Sequence, residues 1–216
     1  MGGAASAITL DFDNEDLSDF QFTDGFLTGY EKGGLVFSIT HEGANSNGAN
    51  LFNAVCDPEG VNPNGQTSNC TTAGDDRDLV PAGGSENGVE GNILIRQENG
   101  EELADDARGM GIITFTLEDG APFSILGFSA VDNENFQILV DGMSLGTIFH
   151  TEENETTALV FDTPSRTLGI DDSFQVKFFG SGGVDSIQLA PVPVPAGLPL
   201  LFAGLGALAW MRRRKD

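Results

Sequence analysis

This 216-residue chain has little of what chemistry usually draws on. It holds two cysteines, two histidines, one tryptophan and one tyrosine, and only 10 basic residues stand against 33 acidic ones, a net charge of −23. So acidic a surface repels phosphate, which excludes nucleic acid as a partner and disfavours anionic headgroups. Neither the zinc-protease pattern H-E-x-x-H nor a phosphate-binding P-loop occurs. His41 and His150 lie far apart in sequence, each at the edge of a strand-like segment, and read as surface or structural histidines. Carboxylates are plentiful, so a glycosidase-like pair is easy to imagine, but no context singles one out. No catalytic residue is assigned, and an enzyme is not expected.

Cys56 and Cys70 flank a Pro/Asn/Gly/Thr-rich stretch. A metal site would want more Cys or His close by, and a catalytic thiol would want a base that nothing ties to it. In an oxidising compartment the two would pair, closing a loop of about 15 residues worth roughly 3 kcal/mol in the chain-entropy model.

Long hydrophobic runs are missing until the end of the chain, which reads PVPVPAGLPLLFAGLGALAWMRRRKD. From Ala190 to Met211 no residue is charged. The most apolar part, 196–211, would span about 24 Å as a helix, short of a hydrocarbon core about 30 Å thick. Snorkelling side chains and local thinning make up that difference. Pro191, Pro193 and Pro195 place the helix start near Ala196. Arg212, Arg213, Arg214 and Lys215 then hold the C-terminus in the cytoplasm and everything upstream outside. A buried helix would be amphipathic and would not need this basic end.

The order Val192-Pro193-Val194-Pro195-Ala196, apolar helix and Arg-rich end resembles the PEP-CTERM sorting signals of Gram-negative bacteria, most of all their VPLPA type. Val194 stands where that type has Leu. The resemblance covers only Val192 to Lys215. It implies recognition by an exosortase-type membrane protease, cleavage near the Pro motif, and transfer of a membrane-anchored precursor to the cell surface or extracellular matrix. It implies nothing about the cargo. At the other end, Ala5-Ser6-Ala7 fits a small-x-small cleavage site. Residues 1–7 are accordingly expected to be the remnant of a signal peptide, with the mature chain starting at Ile8.

Between Ile8 and Ala190 helical periodicity is absent, and ten short strand-like segments recur. Ile113, Phe115 and Leu117 alternate with Thr114 and Thr116, and Phe174, Val176 and Phe178 alternate with Gln175 and Lys177. Similar runs lie at 8–12, 35–39, 93–95, 123–131, 136–140, 145–149, 158–161 and 184–189. With 29 glycines at the turns and 16 phenylalanines to fill an interior, the expectation is all-β: an antiparallel jelly-roll-like β-sandwich over 8–190, followed by a single C-terminal transmembrane helix within a sorting signal at 191–216. Residues 45–91, rich in Asn, Gly, Asp, Pro and Thr, read as one long loop to be clamped by the disulfide or by an ion.

Two acidic groups suit Ca²⁺, which takes six to eight oxygens in loose geometry. Asp75, Asp76 and Asp78 lie in the long loop. Asp11 and Asp13 on the first strand and Asp185 on the last would share an ion if those strands were neighbours. The segment Gly182 to Ile187 also resembles the closing strand of β-sandwich carbohydrate-binding modules, which implies a structural Ca²⁺ nearby. Against a sugar-binding role, Trp210 lies in the tail, and Tyr30 alone offers a ring with a polar handle. The reading favoured is an exported, Ca-stabilised structural or adhesive protein of the surface or matrix. A module binding extracellular polysaccharide is the alternative, ahead of a glycoside hydrolase.

Overall fold

Strict alternation along a strand puts every second side chain on one face, and here that face carries phenylalanine among Leu, Ile and Val. The computed structural model describes residues 6–12, 17–54, 79, 91–99, 106–132, 134–150 and 155–192. The strands are β1 (Ile8–Asp11), β2 (Phe20–Thr23), β3 (Phe26–Lys32), β4 (Leu35–Gly43), β5 (Ser46–Asn53), β6 (Asn92–Glu98), β7 (Gly111–Asp119), β8 (Phe123–Val131), β9 (Phe136–Val140), β10 (Met143–Ile148), β11 (Thr156–Val160), β12 (Ser173–Phe178) and β13 (Gly183–Pro191). A 3-10 turn spans Leu17–Asp19, and no α-helix occurs among the described residues.

The strands form two antiparallel sheets. One runs β11-β8-β13-β6-β5, with β1 added alongside β13, and the other runs β10-β9-β12-β7-β4-β3-β2. The chain is thus all-β and sandwich-like, its two sheets sharing one core. At its centre the rings of Phe115 and Phe174 stack at 4.9 Å, and Phe37 meets Phe115, Phe123 and Phe174 edge-on at 5.7–6.1 Å. Such pairs add about 0.5–1.5 kcal/mol each beyond area burial. Phe20 stacks on Tyr30 at 4.7 Å where β2 and β3 close one side.

The segment expected as a loop from 45 to 91 is corrected at its start. Ser46–Asn53 is strand β5, which pairs along its length with β6. Ala49 and Leu51 belong to the main core. Phe52 and Ala54 turn to the opposite face, joining Leu79, Ile93, Ile95 and Val131 in a second small apolar cluster. That explains why 93–95 reads as a continuous apolar run: β6 is buried on both faces. Among the described residues no helix is long and apolar enough to cross a membrane. The expected helix at 196–211 lies outside them, as does the pair Cys56 and Cys70.

Candidate functional site

The first and last strands are neighbours. Strand β1 pairs with β13 from Ile8↔Leu189 to Asp11↔Ser186. Strand β6 pairs with the same side of β13 only at Gly183 and Val184. Asp185 sits at the handover between these two partners. It is also the extra residue of a bulge opposite β8, where Val184↔Ala130 is followed by Ser186↔Ser129. A bulge re-aims a side chain, and here the Asp185 carboxylate accepts from the Ser129 hydroxyl at 2.6 Å, with Ser129 and Ser186 hydroxyls 2.7 Å apart. Asp11 accepts from Lys32 Nζ at 2.8 Å, and the Tyr30 hydroxyl donates to the Asp11 carbonyl.

Burial pushes the Asp185 carboxyl above the ordinary carboxylate range; the Ser129 and Ser186 hydroxyls oppose that, and the charge on Asp11 adds to it. Asp11 and Asp185 therefore sense one another, with Lys32 neutralising one of the two charges. Among the described residues no group of three or more His, Cys, Asp or Glu gathers closely enough to hold a metal ion. Asp13, Asp75, Asp76 and Asp78 lie outside the described residues, as do Pro193 to Ala196 and the basic cluster from Arg212 to Lys215. Val192 is described, and its amide donates to the Pro122 carbonyl at 2.8 Å.

Comparison with protein-family models, curated proteins and solved structures finds no match to this chain.

Several polar features escape the sequence pattern. Arg96 is 1 % exposed, and its Nη2 donates to the carbonyls of Ala107, Gly109 and Gly180 while the guanidinium lies 5.5 Å from the Phe178 ring. Desolvation lowers its pKa, partly offset by Asp106. Gly43 and Gly111 make room for it: a Cβ at Gly111 would fall 2.2 Å from Nη1. Arg166 grips Asp141 with Nε and Nη2 at 2.6 and 2.9 Å and Asp172 with both Nη atoms at 3.1 Å, holding both carboxyls below the usual range. His150 is buried against Phe136, and desolvation lowers its pKa. Gly142-Met143-Ser144-Leu145-Gly146 matches G-x-S-x-G. It lies in the β9–β10 hairpin and not at a strand-to-helix turn, and Ser144 Oγ donates to the Gly146 carbonyl at 3.3 Å, so the nucleophile-elbow context is missing.

A concavity of about 250 Å³ opens where β5 meets β3 and β4, with His41, Asp24, Phe26 and Asn47 among its lining. A hairpin turn supplies Asp24, which has φ 52° ahead of Gly25 at φ 86°, the left-handed pair that a two-residue Asp-Gly turn demands.

Proposed function

We propose that this chain is an exported protein of the cell surface or extracellular matrix with a structural or adhesive role, delivered by its PEP-CTERM-like tail. In this reading residues 8–190 form a jelly-roll-like sandwich and 196–211 a single transmembrane helix. An exosortase-type protease then cuts near the Pro motif. The observation that carries the reading is the way the last strand meets that motif. Strand β13 pairs with β8 as far as Pro191↔Phe123, and Val192 still donates to Pro122, so no slack intervenes before Pro193.

Strand β13 also lies inside its sheet, with β8 on one side and β6 and β1 on the other. A pull on the C-terminus left at the Pro motif after cleavage would load hydrogen bonds on both sides of one strand together, the arrangement a load-bearing module wants. Calcium fits as a stabiliser at the Asp11–Asp185 handover, completed by oxygens such as those of Asp13.

Two measurements test this. Mass spectrometry of the surface-localised protein is expected to find the peptide containing Arg212 to Lys215 missing; an intact basic tail on mature material leaves a plain anchor instead. Chelation is expected to lower the melting temperature and added Ca²⁺ to restore it. An unchanged Tm in both directions removes calcium from the proposal.

A further inference from the structure

The concavity between β3, β4 and β5 is made by three local irregularities that converge on one spot. Thr28 is the extra residue of a bulge in β3, where Gln21↔Gly29 is followed by Phe22↔Leu27. Asn47 is the extra residue of a bulge in β5, where Ser46↔Glu98 is followed by Gly48↔Gln97. Asp24 occupies the left-handed turn between β2 and β3. All three line the same cavity. Bulges and left-handed turns redirect side chains at a local cost in regular pairing, and here two bulges and a turn bring Thr28, Asn47 and Asp24 to the lining of one space.

The floor of that space is apolar. Phe26 is half-buried and lines the cavity. Its ring packs directly over Gly48, where an added Cβ would lie 2.5–2.6 Å from ring atoms. The absence of a side chain at Gly48 is what lets the ring settle against the β5 main chain. The Thr28 hydroxyl lies 3.2 Å from that of Thr23 and donates to the Gln21 carbonyl, so its position is fixed. His41 completes the rim, and among the described residues no Lys or Arg lines the cavity.

We infer that this groove is a carbohydrate subsite that takes one pyranose unit of a neutral polysaccharide. A pyranose offers an apolar C–H face to a phenyl ring and hydroxyls around its edge. Phe26 answers the first, and Asp24, Asn47, His41 and the threonines answer the second. A cavity of 250 Å³ suits a single sugar unit and falls below the range of larger ligands. Charge selects further: in a chain of net charge −23 whose groove offers one carboxylate and no cationic Lys or Arg, uronate- or sulfate-bearing polymers are repelled. The inference concerns the β3–β4–β5 groove alone and stands whether or not the tail is a sorting signal.

Affinity electrophoresis of the full chain in mild detergent, through gels containing a soluble glucan, mannan or galactan, tests it, with alginate as the anionic control. Retardation is expected in at least one neutral polymer and none in alginate. Phe26→Ala and, separately, Asn47→Ala are each expected to weaken that retardation about tenfold, the loss of one stacking or hydrogen-bonding contact. Asp162→Asn, an exposed change outside the groove, is expected to leave it unaltered. Melting temperatures of all variants show that each is folded; should Phe26→Ala not fold, Asn47→Ala decides. No retardation in any neutral gel, retardation in alginate alone, or retardation indifferent to Asn47→Ala overturns the inference.

Discussion

At the scale of single residues, Asp185 gives the sharpest expectation. Its carboxyl is pushed up by burial and by Asp11, so the folded chain holds that proton more tightly than the unfolded one. The sign follows from linkage: stability falls as pH rises from the unfolded value near 3.8 through the raised folded value, and the full penalty remains at neutral pH. Asp185→Asn keeps an acceptor for Ser129 and removes the charge. In metal-free buffer it is expected to raise the Tm at pH 7, with the gap to the parent closing in acid. A lower Tm at pH 7 would mean that the charged carboxylate stabilises the fold without a metal, against the direction of its shift. His150 behaves oppositely. Burial lowers its pKa from 6.5, so its contribution is present above that value and is lost as pH falls and the unfolded chain takes up the proton. His150→Phe is expected to flatten the loss of stability between about pH 7 and 5, read from melting curves across that range. The Asp11–Asp185 proximity was legible because the two carboxylates sit on the first and last strands, which are neighbours in one sheet. Arg96 was not: in Ile93-Leu94-Ile95-Arg96-Gln97 nothing marks the Arg as buried, since its partners are main-chain carbonyls from two connections, Ala107 and Gly109 before β7 and Gly180 before β13.

At the scale of elements, the strands that sequence exposes are those whose inward side chains are large. Strands β7, β9 and β12 alternate Phe, Ile and Val against polar residues and are plain in the sequence. Strand β5 is not, because Gly48, Ala49 and Asn50 give no periodic signal and its burial depends on pairing with β6. Strands β2 and β3 hide for other reasons: β2 alternates Phe20 and Phe22 with Gln21 and Thr23 but is four residues long, and the bulge at Thr28 breaks the alternation from Leu27 to Tyr30 in β3. Their Asp24-Gly25 turn was the available clue. Glycine also decides where an edge strand can approach. A Cβ at Gly127 would fall 2.3 Å from the Leu159 carbonyl oxygen, and Leu159 belongs to β11, which pairs only with β8 in its sheet. Gly127→Ala therefore has to displace main chain. A cost of about 1–3 kcal/mol is expected, measured by denaturant titration, with amide exchange accelerating first across Thr156–Val160. Unchanged exchange there would show that β11 adapts without moving off β8.

At the scale of the whole molecule, the dominant quantity is charge. Removing the tail leaves 6 basic and 32 acidic residues on the first 190, so most of the carboxylates cannot have a basic partner of their own. Compaction of so many like charges opposes folding, and mobile ions screen it. The Debye length falls from about 30 Å at 0.01 M salt to about 8 Å at 0.15 M, so the Tm is expected to climb over that interval in NaCl and to climb equally in KCl. Screening and site binding then separate cleanly. At matched ionic strength MgCl₂ and CaCl₂ screen alike, whereas an oxygen cage of loose geometry prefers Ca²⁺. A larger Tm in CaCl₂ than in MgCl₂, abolished by Asp185→Asn, assigns the excess to the handover between β1, β6 and β13. Equal curves for the two salts make the acidity a property of the solvated surface alone. A Tm flat in NaCl overturns the repulsion argument, because it would mean that the carboxylates are as far apart in energy when folded as when unfolded.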